Sequence, residues 1–461
     1  MNELFTLENA LNMNRRQLRE NYQRYINPSL VEVMSLLNFD KLFVKAKGIH
    51  LWDTENKQYL DFLGGYGALN LGHNPPEILA AIRKVQERPN LLQAALNPLA
   101  AALAANLAQV TPGDLSRTFF CNSGTEAVEG ALKLARAAHP HKKKILYCQN
   151  SFHGKSFGSL SVTGREKYQH PFRPLLPDCV MIPFGDLNAL EQTLAKHEPA
   201  AFILEPIQGE GGINLPPEGY FPEVRKLCDQ YDTFLIIDEI QTGLGRTGTL
   251  FACEHDQIVP DVLCLAKSLG GGVMPVGAYI ARPQLWDKVY QGRDKYALHT
   301  STFGGNSLAM AAGLAALESI IKKDLPLNSQ EKGQYLLEKL HQLKNKHNII
   351  KEIRGRGLLI GIEFQQPAHG LVDKLSGGTI NKLAGEYFAS LVAAELMNKY
   401  QIITAYTLNN PNVIRLEPPL IIDYPSIDLA IKALDEILSR NFAGITLNSL
   451  FTILNTKITK R

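Results

Sequence analysis

The sequence lacks a charge bias, a cysteine pattern and any long apolar run. Its 48 basic and 45 acidic residues leave a formal net charge of +3. Nucleic-acid binding calls for a strong basic stripe, so no nucleic-acid partner is expected. The basic end Thr456–Arg461 is too short to change that expectation. Six cysteines, Cys121, Cys148, Cys179, Cys228, Cys253 and Cys264, are scattered without a C-x-x-C pair. That spacing excludes zinc-ribbon and redox-pair sites, so no metal is expected. It suits a reducing cytoplasm, the compartment we expect. The first twenty residues carry Glu3 and Glu8 and have no apolar run ahead of a small-residue cleavage site. They match neither a secretory leader nor an acid-poor transit peptide. No run of about 18 uncharged apolar residues occurs, so no membrane span is expected. Repeats and low-complexity tracts are also missing.

What is present is globular. Hydrophobic residues make up 45% of the chain and charged residues 20%. A length of 461 residues points to two domains rather than one core. The first forty residues read as polar helix. FVKAKGIHLWDTENKQYLDF follows and reads as a β-hairpin turning near Asp53–Asn56. Short apolar runs then alternate with helical stretches: TFFC at 118–121, ILYC at 145–148, VMI at 180–182, AFILE at 201–205, FLIID at 234–238, VLCL at 262–265 and AYIA at 278–281. Continuous apolar strands separated by helices predict a mostly parallel sheet covered on both faces. After about residue 330 the pattern is helix, strand, helix, strand, helix, with QQPAHGLVDKLSGGT at 365–379 as the best loop candidate. We therefore expect an α/β protein: an N-terminal segment 1–72 that joins a small domain, a large domain 73–325, and a small α/β domain 326–461.

Ligands of open α/β sheets sit outside the carboxyl ends of the strands. There the sequence places Asp238, Glu205 and, just past VLCL, Lys267 ahead of Ser-Leu-Gly-Gly-Gly. A lysine in a partly desolvated position can be an amine nucleophile. After TFFC, the run Cys121-Asn122-Ser123-Gly124-Thr125-Glu126 opens a helix, with the S-x-x-E spacing of a capping box. The free N–H groups of such a helix start would hold a phosphate. Phe152, followed by His153, lies after ILYC, where an aromatic can stack on a flat ring. Each piece alone has a plainer explanation: a surface lysine, a simple helix cap, a core phenylalanine, a structural acid. Together they suit pyridoxal 5'-phosphate, which needs an amine for a Schiff base, a carboxylate at its ring nitrogen, an anion cradle and a stacking partner.

The segments CNSGTEAVEGALKLA, SFHGKSFGSLS, LEPIQGEGG, IIDEIQTGLGRTG, LCLAKSLGGGVMPVGA and STFGGN occur in this order. The chain resembles the class III (ω-amino) aminotransferases of fold type I from about residue 45 to 440. The resemblance implies that Lys267 carries the cofactor and shuttles the proton. Asp238 should pair with the pyridinium nitrogen, and Gln241 should contact the ring hydroxyl. Ser123, Gly124 and Thr125 should hold the phosphate, Phe152 should stack on the ring, and His153 and Glu205 should lie beside it. Thr302 should reach the phosphate of a neighbouring subunit, which implies at least a homodimer. Arg415, in VIRLEPPL, should receive a substrate carboxylate, with Glu210 able to neutralise it. Within the family the chain is similar to the bacterial putrescine aminotransferases, which implies Gln93 near the substrate amine. The implied reaction moves a terminal amino group from a diamine or amino acid, putrescine first, to 2-oxoglutarate. Ornithine, N-acetylornithine and 4-aminobutyrate are the alternative donors.

One rival motif is Gly243-Leu-Gly245-Arg-Thr-Gly248, which fits the G-x-G-x-x-G of a dinucleotide-binding oxidoreductase. Four residues separate it from the preceding strand, whereas the fingerprint wants its glycines in the strand-to-helix turn. Gly154-Lys155-Ser156 has the tail of a P-loop, but Gln149 stands where its first glycine belongs.

Overall fold

A computed structural model describes residues 4–365 and 379–440, together with Ile445. Apart from its two ends, the loop expected at 365–379 lies outside the described residues, as does the basic end Thr456–Arg461.

Seven strands form the central sheet, in the spatial order Arg117–Cys121, Gly277–Ala281, Val262–Leu265, Phe234–Asp238, Ala201–Leu204, Ile145–Cys148 and Cys179–Ile182. The last five pair in parallel. Gly277–Ala281 is antiparallel to both of its neighbours, so Arg117–Cys121 runs in the same sense as the other five. Parallel neighbours need crossovers. The helix Tyr220–Gln230 joins the neighbours Ala201–Leu204 and Phe234–Asp238, and the helices Gly124–Ala138 and Leu187–His197 join strands further apart in the sheet. Only the 3-10 helix Ala252–Asp256 lies between Phe234–Asp238 and Val262–Leu265. Helices on both faces explain why ILYC, AFIL and VLCL are apolar throughout: every residue of those strands is buried. Each fully buried Leu or Ile contributes roughly 1.5–3 kcal/mol. Helix Gly124–Ala138 turns Ala127, Val128, Ala131, Leu134, Ala135 and Ala138 to the sheet, the spacing of an amphipathic helix.

The segment expected to form one hairpin is a three-stranded meander: Phe43–Lys47, His50–Asp53 and Gln58–Asp61. A tight turn at Gly48, with φ +59°, splits what the sequence presents as one strand. Asp53 Oδ1 accepts the N–H groups of Glu55 and Lys57 at 2.9 and 3.0 Å and fixes the second turn. Ile402–Ile403 adds a fourth strand parallel to Gln58–Asp61, which ties the N-terminal region to the C-terminal one. A separate antiparallel sheet has the order Ile350–Arg356, Leu359–Phe364, Val413–Leu416, Ala405–Tyr406. Helices Leu325–Lys346 and Tyr424–Leu438 contribute buried faces to the same continuous apolar core. Ahead of the meander lie the short helices Leu7–Leu11, Arg15–Tyr25 and Pro28–Leu36, as the polar helical pattern predicts. Among the described residues no helix is long and apolar enough to cross a membrane.

Candidate active site

A cavity of about 540 Å³ opens at the carboxyl ends of the central strands. All the predicted site residues line it except Arg415, Gln93 and Thr302. The convergence follows from topology: six strands point the same way, so the residues that follow them gather at one edge.

Lys267 follows strand Val262–Leu265 by two residues and has φ +45°. A non-glycine residue in this left-handed region costs about 1–3 kcal/mol and persists only where its surroundings enforce it. No ion pair joins Lys267 to any other described residue. Burial, with help from the charge of Arg415, holds its ammonium below the usual lysine range, against the opposing pull of Glu417, Glu210 and Asp238. An amine so placed is neutral, and therefore nucleophilic, more often than a surface lysine.

Asp238 closes strand Phe234–Asp238 and is almost fully buried. Its Oδ2 lies 2.7 Å from Nδ1 of His153, and its Oδ1 accepts the N–H of Ile240 at 3.0 Å. The carboxylate is thus fixed at both oxygens while it still faces the cavity. His153 Nε2 is buried without a hydrogen-bond partner among the described residues. Glu205, at the next strand end, accepts the N–H groups of Phe152 and Gly209 at 2.9 and 3.2 Å. Burial pushes its carboxyl up to about 7, moderated by the charge of His153.

The helix Gly124–Ala138 starts at the cavity wall. The N–H groups of Gly124 and Thr125 can have no intrahelical partner, which makes them natural donors to an anion. A Cβ on Gly124 would meet the Ile240 side chain at 2.8 Å, so only glycine lets the helix start sit this close to the loop after Asp238. The predicted capping box is half right. Ser123 Oγ accepts the N–H of Glu126 at 3.4 Å, but Glu126 Oε2 accepts the N–H of Asn122 at 2.6 Å, one residue before the cap. The Thr125 hydroxyl is engaged with those of Ser156 and Ser159 at 2.7 and 2.6 Å.

Arg415 lies outside the lining yet beside it. It sits inside strand Val413–Leu416 with no solvent exposure, and its Nη2 is 2.6 Å from Oε2 of Glu210, which does line the cavity. Burial raises the carboxyl of Glu210, but the charge and hydrogen bond of Arg415 outweigh it and hold the group below the ordinary range. Two further members escaped the sequence reading. Glu417 Oε2 lies 3.4 Å from Arg415 Nη1, and the ring of Tyr66 lies under the guanidinium at 5.1 Å. Gln241 lines the cavity, but its side-chain amide donates to Glu417 Oε2 and to the carbonyl of Tyr66, both at 3.2 Å.

Gln93 and Thr302 are elsewhere. They line a second cavity of about 700 Å³, where Gln93 Nε2 donates to the carbonyl of Thr302 at 2.6 Å. Leu91 and Leu92 line the same hollow. The Gly243–Gly248 run lies in a string of turns and is followed only by the short 3-10 helix Ala252–Asp256, not by the helix a dinucleotide fold requires.

An unpaired lysine, a fixed carboxylate, a helix start with free N–H groups and an orphaned histidine nitrogen surround one space of ring size. They fit pyridoxal phosphate: Lys267 for its aldehyde carbon, Asp238 for its ring nitrogen, Gly124 and Thr125 for its phosphate. A model of the class III aminotransferases matches residues 35–438. The chain is 41% identical over 446 residues to aminotransferase PigE of Serratia sp., covering 90% of this chain and 52% of that protein. It thus spans about half the length of that curated relative. Ornithine aminotransferase from Toxoplasma gondii, solved with partial occupancy of PLP at its active site, matches at a TM-score of 0.82 and 31% identity, over 94% of this chain and 96% of that one. An amine transaminase from an uncultivated Pseudomonas species, solved in its PLP-bound form, matches at 0.77 and 29%, over 87% and 95%. The chain therefore belongs to the class III aminotransferases, with their fold type I architecture and their cofactor, pyridoxal 5'-phosphate.

Proposed function

We propose that this aminotransferase moves the terminal amino group of a diamine, putrescine first, to 2-oxoglutarate. The observation that carries the reading is the buried pair of Arg415 and Glu210, 2.6 Å apart beside the cavity. With the pair closed, the guanidinium is neutralised, and a donor without a carboxylate meets no bare charge. With Glu210 turned away, Arg415 offers parallel N–H groups to the carboxylate of 2-oxoglutarate. One pocket then serves both halves of the exchange.

Pyridoxal phosphate supplies the carbonyl that receives the amino group and the electron-withdrawing ring that stabilises the charge left when a C–H bond breaks. Lys267 Nζ holds and moves the proton that leaves the donor carbon. Asp238, aligned by His153, holds a proton on the ring nitrogen. Gly124 and Thr125 bind the phosphate through their N–H groups, Phe152 covers a ring face and Gln241 meets the ring hydroxyl. Gln93 and Thr302 act on a neighbouring subunit's site in a homodimer. The support for that assignment is their position on a second cavity, away from Lys267 of their own chain.

A donor panel against 2-oxoglutarate tests the reading: putrescine, cadaverine, ornithine, N-acetylornithine, lysine and 4-aminobutyrate. Putrescine should give the highest kcat/KM, with glutamate as coproduct. Ornithine is the second reading, favoured by the likeness to the Toxoplasma gondii ornithine aminotransferase. A higher kcat/KM with ornithine would replace the diamine as donor.

A further inference from the structure

We propose that Glu417 is a positioning residue that sets substrate preference: it keeps Arg415 partly neutralised even when Glu210 turns away, which weakens the grip on carboxylates and favours donors that lack one. This rests on the aminotransferase reading with a diamine donor.

Glu417 follows strand Val413–Leu416 directly, and strand alternation turns it to the same side as Arg415, two residues before it. Its N–H donates to the carbonyl of Phe62 at 2.8 Å, and the residue has no solvent exposure. Glu210 stands on the four-residue turn Gly209–Gly212, so the two carboxylates on Arg415 differ in kind. One stands on a short turn, where its Oε2 also accepts the N–H of Leu408 at 3.0 Å, and the other is fixed at the end of a strand.

Hydrogen bonding gives little reason for an acid at this position. Oε2 of Glu417 receives long contacts from Arg415 and Gln241, at 3.4 and 3.2 Å. Oε1 is buried with no hydrogen-bond partner among the described residues. An unsatisfied buried acceptor is costly, and an apolar side chain would avoid the cost. The backbone nevertheless makes way for it. Gly67 has φ +83°, and a Cβ there would come within 2.5 Å of Glu417 Oε1. The negative charge also reaches three cations. It is the strongest carboxylate influence on Lys267, the strongest on the fully buried Arg246, and second to Glu210 on Arg415. Arg246 itself is held by the carbonyls of Leu358 and Pro418 and the amide oxygen of Asn70. It stands outside the cavity lining and offers nothing to a substrate.

The test begins with the wild-type holoenzyme and three donors of equal chain length: putrescine, 1-aminobutane and 4-aminobutyrate. Their far ends are cationic, neutral and anionic. The kcat/KM for 4-aminobutyrate should lie roughly tenfold or more below that for 1-aminobutane. Parity, or a preference for 4-aminobutyrate, overturns the proposal. Next, glutarate, which has two carboxylates and no amine, is titrated into the holoenzyme by calorimetry. Glu417→Gln should bind glutarate roughly tenfold tighter than wild type and raise the 4-aminobutyrate to putrescine ratio by a similar factor. Glu417→Asp, which keeps the charge, should stay near the wild-type ratio. Equal effects on all three donors, or an unchanged glutarate affinity, would mean a structural role only. If Glu417→Gln does not fold, the wild-type series and Glu417→Asp still decide. If wild type transfers no amino group from any of these donors, the donor reading fails, and the glutarate titration still decides the role of Glu417.

Discussion

Lys267 and Arg415 are two enclosed cations of one site, and the chain treats them in opposite ways. Lys267 follows a parallel strand in strained backbone, has no ion-pair partner among the described residues, and is pushed by burial toward its neutral form. Arg415 sits inside an antiparallel ladder, opposite Gly361 and Ala405, with carboxylates on both Nη atoms. Burial would lower it too, but the charges of Glu210 and Glu417 prevail and raise it. One buried cation is left without an ion-pair partner among the described residues, while the other is neutralised by two carboxylates. The difference teaches that burial alone pushes a cation toward its neutral form, whereas paired carboxylates hold a buried cation charged within the same desolvated space.

The contrast can be broken most decisively at the reacting end. Lys267→Arg keeps a positive charge but removes the nucleophile. Transamination should fall by at least about 10⁴-fold, roughly 5.5 kcal/mol of barrier, in single-turnover kinetics. A loss below tenfold would remove Lys267 from the chemistry. Asp238→Ala comes next, with an expected loss of about 10³-fold, near 4 kcal/mol, and an intact fold by circular dichroism. Near-normal turnover would end its role at the ring nitrogen.

The same contrast predicts opposite stability effects. Arg415→Gln leaves Glu210 and Glu417 buried without their cation and should destabilise by about 3 kcal/mol in urea unfolding. Lys267→Gln removes an unpaired buried amine and should leave stability unchanged or raised. The reverse order would contradict the account of the two cations. The acid limb of unfolding should follow. Glu210 is held below the ordinary carboxylate range, so its contribution is present above that range and is lost as pH falls through its folded-state value. Arg415→Gln should flatten that limb.

Glu205 has the other sign. Its folded carboxyl is raised to about 7 from an ordinary 4.5, so its contribution is full below 4.5 and is lost as pH climbs through 7. The stability of Glu205→Gln relative to wild type should therefore grow between pH 5 and 8, by up to about 3 kcal/mol in the cofactor-free protein. A flat difference would mean that the carboxyl is not raised. The smallest effect is expected at Thr302. Thr302→Ala should weaken cofactor retention by about 1 kcal/mol. Mixing it with Lys267→Ala subunits should restore retention at the Lys267-bearing sites if Thr302 serves its neighbour. No restoration would assign Thr302 to its own chain.

The large sheet and the clamp around Lys267 were legible because each element carries its own local signature. Asp238, Lys267 and Gly124 all follow short apolar runs bounded by glycine or polar residues. Strand direction alone then gathers them. The cluster around Arg415 was only half legible. Arg415 and Glu210 are named by family resemblance, because nothing local links residues that meet across two sheets. Glu417 had a usable signal, since i and i+2 on a strand share a face, but the prolines that follow it in LEPPL draw attention to a turn instead. Tyr66, in GGYG with φ +58°, had none: its contact with Arg415 exists only after the chain folds. The meander at 43–61 has the sequence pattern of a hairpin because Gly48 turns the chain within two residues.

The most direct measurement is reductive trapping. The holoenzyme is treated with borohydride, which fixes the cofactor to the amine it has joined, and the digest is mapped by mass spectrometry. A single modified peptide carrying Lys267 is the predicted result. Modification of a different lysine, or none, would contradict the account at its centre.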